Sequence, residues 1–260
     1  MKAYQIIQYL NKFCPPQFAE SWDNVGLLCG SPQKEIKKIF ATLDMTLQTV
    51  TEAAEWGADM IVSHHPILFH GLKQVDFETE EGKILVQLIQ NEIVAFAAHT
   101  NLDVAPEGIN QVLAELFELE QIEVLEKDSS DDRFGLGRVG YLKTKRSLAE
   151  VAQQAKALLK TPYVRVCGDL DRDVYKIAIV SGSGGDRIPL AVQEQADVFL
   201  TADMKYHEAL DAVAAGISII DAGHYPTEQV VMELFKKKLE QSFQGIAVKC
   251  SAQKDVFQYV

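Results

Sequence analysis

The 260-residue chain is 47% apolar and 24% charged. That composition excludes an extended disordered protein and supplies core for one large domain or two ordinary ones. No apolar run reaches the roughly 18 residues of a membrane helix, and the polar interruptions in MKAYQIIQYLNKF argue against a signal peptide, so a cytoplasmic location is expected. The 25 basic and 37 acidic residues leave a formal charge of −12, which disfavours general attraction to nucleic acid or to an anionic membrane.

In chain order, the spacing predicts a strand over Lys38–Asp44 and then a helix carrying Leu47, Val50, Ala53 and Ala54, stopped at Gly57. A strand over Asp59–Ser63 follows, then an amphipathic helix around Ile84–Ile89, a strand over Ile93–Ala98 and a helix over Gly108–Leu119. The acidic run Glu126–Arg133 reads as a solvated turn where a domain boundary can fall. Beyond it, strands are expected at Gly137–Leu142, Tyr163–Cys167, Tyr175–Val180, Val198–Thr201 and Ile217–Ile220. Ser147 and Glu150 form a capping box for a helix reaching Leu159, and a long helix, Thr227–Phe243, precedes a last strand, Ile246–Cys250. Strand and helix in alternation indicate an α/β fold with largely parallel sheets, arranged as two lobes. The sequence shows no internal repeat.

Ligands of open α/β sheets bind beyond the carboxyl ends of strands, and the polar residues collect there. His64 and His65 follow one strand, and His99, Asn101 and Asp103 follow the next. Ser181–Asp186 (SGSGGD), Asp203 with Lys205 and His207, and Asp221 with His224 and Glu228 follow three others. Adjacent histidines diverge on an extended chain and converge on a turn. His224 and Glu228 have i,i+4 spacing at a helix start set by Pro226 and Thr227. Imidazoles with carboxylates suit Zn, Mn, Fe, Co or Ni. Two such ions about 3.5–4 Å apart would activate a bridging water. The four cysteines lie among apolar neighbours with no C-x-x-C pair, so they read as buried free thiols and not as zinc ligands. The glycine-rich SGSGGD can cradle an anion or simply make a tight turn. Trp22 beside Asp23 can line a pocket or anchor a loop.

Seven segments spread along the chain carry a resemblance: SWDNVGLLCG, ATLDMT, SHHPILFHGLK, AAHTNLDVAPEGIN, SGSGGD, LTADMKYHEALDA and DAGHYPTE. Through them the sequence resembles the Nif-three-like family of dinuclear metal-binding proteins, often labelled GTP cyclohydrolase I type 2 homologues. The resemblance implies two related α/β domains, the second inserted into the first, with a metal site between strand ends. On this chain that means residues 1–125 with 221–260 as the metal-binding domain and 126–220 as the insert. It implies two divalent metal ions on His64, His65, Asp103, His224 and Glu228, with His99 near them as a ligand or a supporting group. It also implies a homohexamer, a trimer of dimers.

The expected function is a metal-dependent hydrolase of a small phosphorylated or nucleotide-like substrate. His99 or His207 would shuttle a proton, and Asp23 would orient the substrate or a water. The alternative is a non-enzymatic metal-binding ring acting in protein interaction or metal handling. No membrane partner is expected, and the acidity counts against nucleic acid.

Overall fold

The structure is a computed structural model that describes residues 1–258. Its strands are β1 (Gly26–Cys29), β2 (Lys38–Thr42), β3 (Met60–Ser63), β4 (Val94–Ala97), β5 (Glu120–Lys127), β6 (Gly135–Ser147), β7 (Arg165–Cys167), β8 (Asp173–Ser183), β9 (Val198–Ala202), β10 (Ser218–Asp221) and β11 (Ala247–Cys250). Its helices are α1 (Ala3–Phe13), α2 (Leu47–Trp56), α3 (Glu80–Gln90), α4 (Thr100–Asp103), α5 (Ile109–Leu116), α6 (Leu148–Leu158), α7 (Ile188–Gln193), α8 (Tyr206–Ala214), α9 (His224–Glu228) and α10 (Val230–Ser242).

The chain divides into two compact units. The first comprises Met1–Leu102 and Val231–Lys254, and the second runs over Asp103–Val230 with the residues from Asp255 on. The breaks between these units fall at 102/103 and 230/231. The acidic run Glu126–Arg133 is no boundary: β5 and β6 pair antiparallel, with Lys127 opposite Gly135, so the run is the turn of a hairpin inside the second unit.

The first unit holds a five-stranded sheet in the order β1-β4-β3-β2-β11. Four of these strands are parallel and β1 runs antiparallel to β4. Phe40, Val50, Ala53, Ile61, Leu88 and Ala95 form the core between this sheet and α2 and α3. Thr46 caps α2 by accepting from the Thr49 N–H at 3.1 Å, and Gly57 ends it in the left-handed region at φ 76°.

The second unit holds a six-stranded sheet in the order β5-β6-β8-β9-β10-β7. Only β8, β9 and β10 are mutually parallel there, so this sheet is mixed where a largely parallel one was expected. Ile177, Ile179, Val198, Leu200 and Ile220 enter one core cluster, and their alternates Ala178, Val180, Phe199 and Ile219 enter another. Both faces are buried, which is why these strands read as continuous apolar runs. Ser147 and Glu150 make the expected capping box on α6.

The same local device recurs in each sheet, although the sequence shows no plain repeat. Asp59 Oδ2 accepts from the backbone N–H groups of Lys37 and Lys38 at 2.7 and 2.9 Å, while Lys38 Nζ donates to the Trp56 carbonyl. Asp197 Oδ2 accepts from Tyr175 and Lys176, both at 2.8 Å, while Lys176 Nζ donates to the Glu194 carbonyl. The same lysine and Ala-Asp pair thus fasten the first and second parallel strands of each sheet, β2 to β3 and β8 to β9. Among the described residues no helix is long and apolar enough to cross a membrane.

Candidate metal centre

In the first unit β2, β3 and β4 are adjacent and parallel, so their carboxyl ends share one edge. Asp44 follows β2, His64 and His65 follow β3, and His99 follows β4. The chain bends at His64 and His65. Their amides donate to the Thr42 and Leu43 carbonyls at 3.3 and 3.0 Å. The two rings consequently converge, with centroids 5.0 Å apart, and His99 stands 5.1 and 5.3 Å from them.

Each ring is oriented through Nδ1. His64 Nδ1 lies 2.8 Å from the Ala98 carbonyl, His65 Nδ1 2.6 Å from Asp44 Oδ1, and His99 Nδ1 3.0 Å from Asp23 Oδ1. Carbonyl and carboxylate oxygens only accept, which assigns a proton to Nδ1 in all three rings and makes Nε2 the atom that carries the lone pair in the neutral form. Ligand-capable atoms of His64, His65 and His99 lie within 4.8 Å of one another. Three nitrogen donors, each backed by an oxygen, fit a borderline divalent ion; such backing fixes the ring and raises its basicity.

The backing residues are held in turn. Gln253 donates through Nε2 to Asp44 Oδ2, and its Oε1 accepts from Thr42 Oγ1 and from the Asp44 N–H, each at 3.1 Å. The Asp23 carboxylate is fully enclosed, and beyond His99 it accepts from the Thr100 N–H at 3.1 Å and the Thr100 hydroxyl at 2.5 Å. Burial pushes the Asp23 carboxyl up, but the hydrogen bonds from His99 and Thr100 outweigh it and hold the group down at about 2. Asp23 therefore positions His99. Asn101 is structural: its Oδ1 accepts from the His99 N–H at 3.0 Å and its Nδ2 donates to the Cys14 carbonyl at 2.6 Å.

The second unit repeats the plan on β8, β9 and β10, which are also adjacent and parallel. Gly182 lies at the end of β8, Asp203 follows β9, and His224 follows β10. Pro226 and Thr227 suggest a helix with His224 just before it, at the rim, but the helix starts earlier. Gly223 is the N-cap at φ 85°, and α9 starts at His224 itself. The expected long helix breaks at Gln229, and α10 begins at Val230. With i,i+4 spacing inside α9, His224 Nε2 meets Glu228 Oε2 at 3.0 Å while Nδ1 meets Asp203 Oδ2 at 2.7 Å. Burial pulls the His224 ring down, but Glu228 and Asp203 outweigh it and lift the ring to about 9.

Gly182 makes room for this pair. Its φ is +58°, and a Cβ there would lie 2.2 Å from Glu228 Oε1 and 3.3 Å from His224 Cε1. Its amide donates to Thr227 Oγ1 at 3.1 Å and its carbonyl accepts from Thr201 Oγ1 at 3.0 Å. The start of the glycine-rich segment thus acts as packing space for α9. Asp103 is fastened through its own carbonyl, which accepts from Asn110 Nδ2 at 3.0 Å, while Asn110 Oδ1 accepts from the Ser181 N–H at 2.8 Å.

The remaining candidates lie elsewhere. His207 is exposed on the first turn of α8, its ring 5.4 Å from that of Tyr206. Of the free cysteines only Cys14 is buried, its thiol pushed up to about 12 by desolvation; the other three are half-buried, more open than expected. Asp44 was not singled out from the sequence, although it sits at a strand end like the histidines. Asp203 was noted only by position, and its partner is a tertiary contact.

Residues 1–255 match the profile of the family described as Duf34/NIF3 (NGG1p interacting factor 3). The chain is 34% identical over 264 aligned residues to the "GTP cyclohydrolase 1 type 2 homolog" of Clostridium perfringens, with both sequences covered completely. A crystal structure of a Staphylococcus aureus hypothetical protein superposes with a TM-score of 0.92 at 33% identity, covering 100% of this chain and 99% of the other. A Bacillus cereus protein titled as related to NIF3 gives the same TM-score and coverage at 25% identity.

Proposed function

The chain belongs to the Duf34/NIF3 family, and on that premise we propose that it is a dinuclear divalent-metal protein. We propose further that it is a metal-dependent hydrolase of a small phosphorylated or nucleotide-like substrate. The observation that carries the reading is the imidazole cluster of His64, His65 and His99, three rings oriented alike by oxygen acceptors on Nδ1.

The proposed ligands are His64, His65, Asp103, His224 and Glu228. Divalent ions on such donors supply Lewis acidity, an activated water and a counter-charge for an anionic group. The protein's own residues then have separate tasks. Asp44 holds His65, Asp203 holds His224, and Asp23 holds His99. His99, within ring contact of both His64 and His65, is the favoured proton shuttle; His207 on α8 is the other candidate.

A homohexamer in the cytoplasm completes the proposal. Four free cysteines suit a reducing compartment. Tyr206, Leu210 and Val213 form an exposed apolar stripe at i, i+4 and i+7 on α8, suited to self-association.

Turnover is the test. Full-length protein loaded with Mn or Zn should hydrolyse a member of a panel of phosphoesters and purine nucleotides, and the His65→Ala, Asp103→Ala double variant should not. A wild-type rate no higher than that control across the whole panel rules out the hydrolase.

A further inference from the structure

The loop before β1 holds one large apolar side chain in solvent on a fixed backbone. Trp22 is 55% exposed, although both residues after it are fastened. Asp23 is fully enclosed on His99 and Thr100. The Asn24 N–H donates to Asp23 Oδ1 at 2.8 Å, and Asn24 Nδ2 donates to the Leu68 carbonyl at 2.5 Å. The loop's anchors are therefore Asp23 and Asn24, and Trp22 is left free of that duty. Leu68 is followed by Phe69, which is 42% exposed. Both aromatic rings meet His99 edge-on, Trp22 at 5.9 Å and 73°, Phe69 at 5.9 Å and 80°. Two loops, tied together by the Asn24–Leu68 bond, thus bring two exposed aromatic residues to one imidazole of the candidate metal centre.

We propose that Trp22 and Phe69 form a stacking subsite for a planar heteroaromatic ring, so that the substrate is a nucleotide and not a ring-free phosphoester. The inference rests on the reading that the neighbouring histidines hold metal, which would take the anionic end of the same molecule. Exposed aromatic faces on a fixed backbone give a ring contact area at little cost in ordering. Stacking of a base on an aromatic side chain is worth roughly 5- to 150-fold in affinity.

The probes are GMP and ribose 5-phosphate, titrated into full-length Mn-loaded protein, with metal content measured on the same samples. GMP should bind at least roughly 10-fold tighter than ribose 5-phosphate. Trp22→Ala and Phe69→Ala should each remove most of that preference while leaving ribose 5-phosphate affinity about the same, and Trp22→Phe should restore it. Equal affinity for the two probes, no binding of either, or equal weakening of both by Trp22→Ala overturns the inference. So does an altered sedimentation coefficient of Trp22→Ala with GMP binding intact, because Trp22 would then be an interface residue. Removal of the metal without weakening of either probe would break the metal reading and leave the stacking subsite standing. Metal-loaded protein without the preference would do the reverse.

Discussion

At His65 the decisive partner is a carboxylate. Asp44 accepts from Nδ1 at 2.6 Å and so fixes the ring in the tautomer whose Nε2 can ligate metal. Losing such a supporting carboxylate commonly costs 10–100-fold in metal affinity. Asp44→Ala should therefore weaken Mn or Zn binding by about that factor, with the circular dichroism spectrum retained. Unchanged affinity would show that Asp44 does not position the ring. Asp23 makes a prediction in pH. Its folded-state value of about 2 lies below the ordinary 3.8, so the carboxylate stabilises the fold above about pH 4 and that contribution is lost as pH falls towards 2. The difference corresponds to about 2 kcal/mol. Metal-free wild-type protein should lose that stability in urea titrations between pH 4 and pH 2, and Asp23→Asn should start lower at pH 5 and fall less across the window.

Among the elements, the glycine at the end of β8 is the sharpest case. Gly182→Ala would strain a backbone at φ +58° and drive a methyl group against Glu228. It should destabilise the protein by roughly 1–3 kcal/mol in chemical denaturation and weaken metal binding through Glu228. A neutral outcome would mean that α9 can move away without consequence. The elements differ in how far the sequence announced them. β3, β8 and β9 were legible because both faces of their sheets are buried, leaving unbroken apolar runs. β1 and β5 were not, because few of their side chains enter a core. Leu27 of β1 is exposed, and only Leu125 of EQIEVLEK is buried. The i,i+4 spacing of His224 and Glu228 was readable, but the helix start was not, since Pro226 fits a first turn whether the cap is Gly223 or Tyr225. The oxygen partners of the histidine rings were also out of reach. Asp44 and Asp23 lie 21 and 76 residues from the rings they hold, and only the parallel order of β2, β3 and β4 brings Asp44 to the edge where His65 sits.

For the whole molecule, unit boundaries were the least legible feature. No linker marks residues 102/103 or 230/231: α4 and α10 run straight across them. The acidic run that looked like a boundary is a hairpin turn, where charge serves solvation. The α8 stripe carries the assembly prediction. Sedimentation of wild-type protein should give a hexamer, and Tyr206→Glu with Leu210→Glu should lower its mass; an unchanged mass would assign the stripe another role. The most direct measurement is the metal content of purified full-length protein after loading with Mn or Zn and removal of excess ion, beside a His64→Ala, His65→Ala variant. Two ions per chain in the wild type, with the variant retaining at most one, is the predicted result. A wild type that holds no more metal than the variant would contradict it.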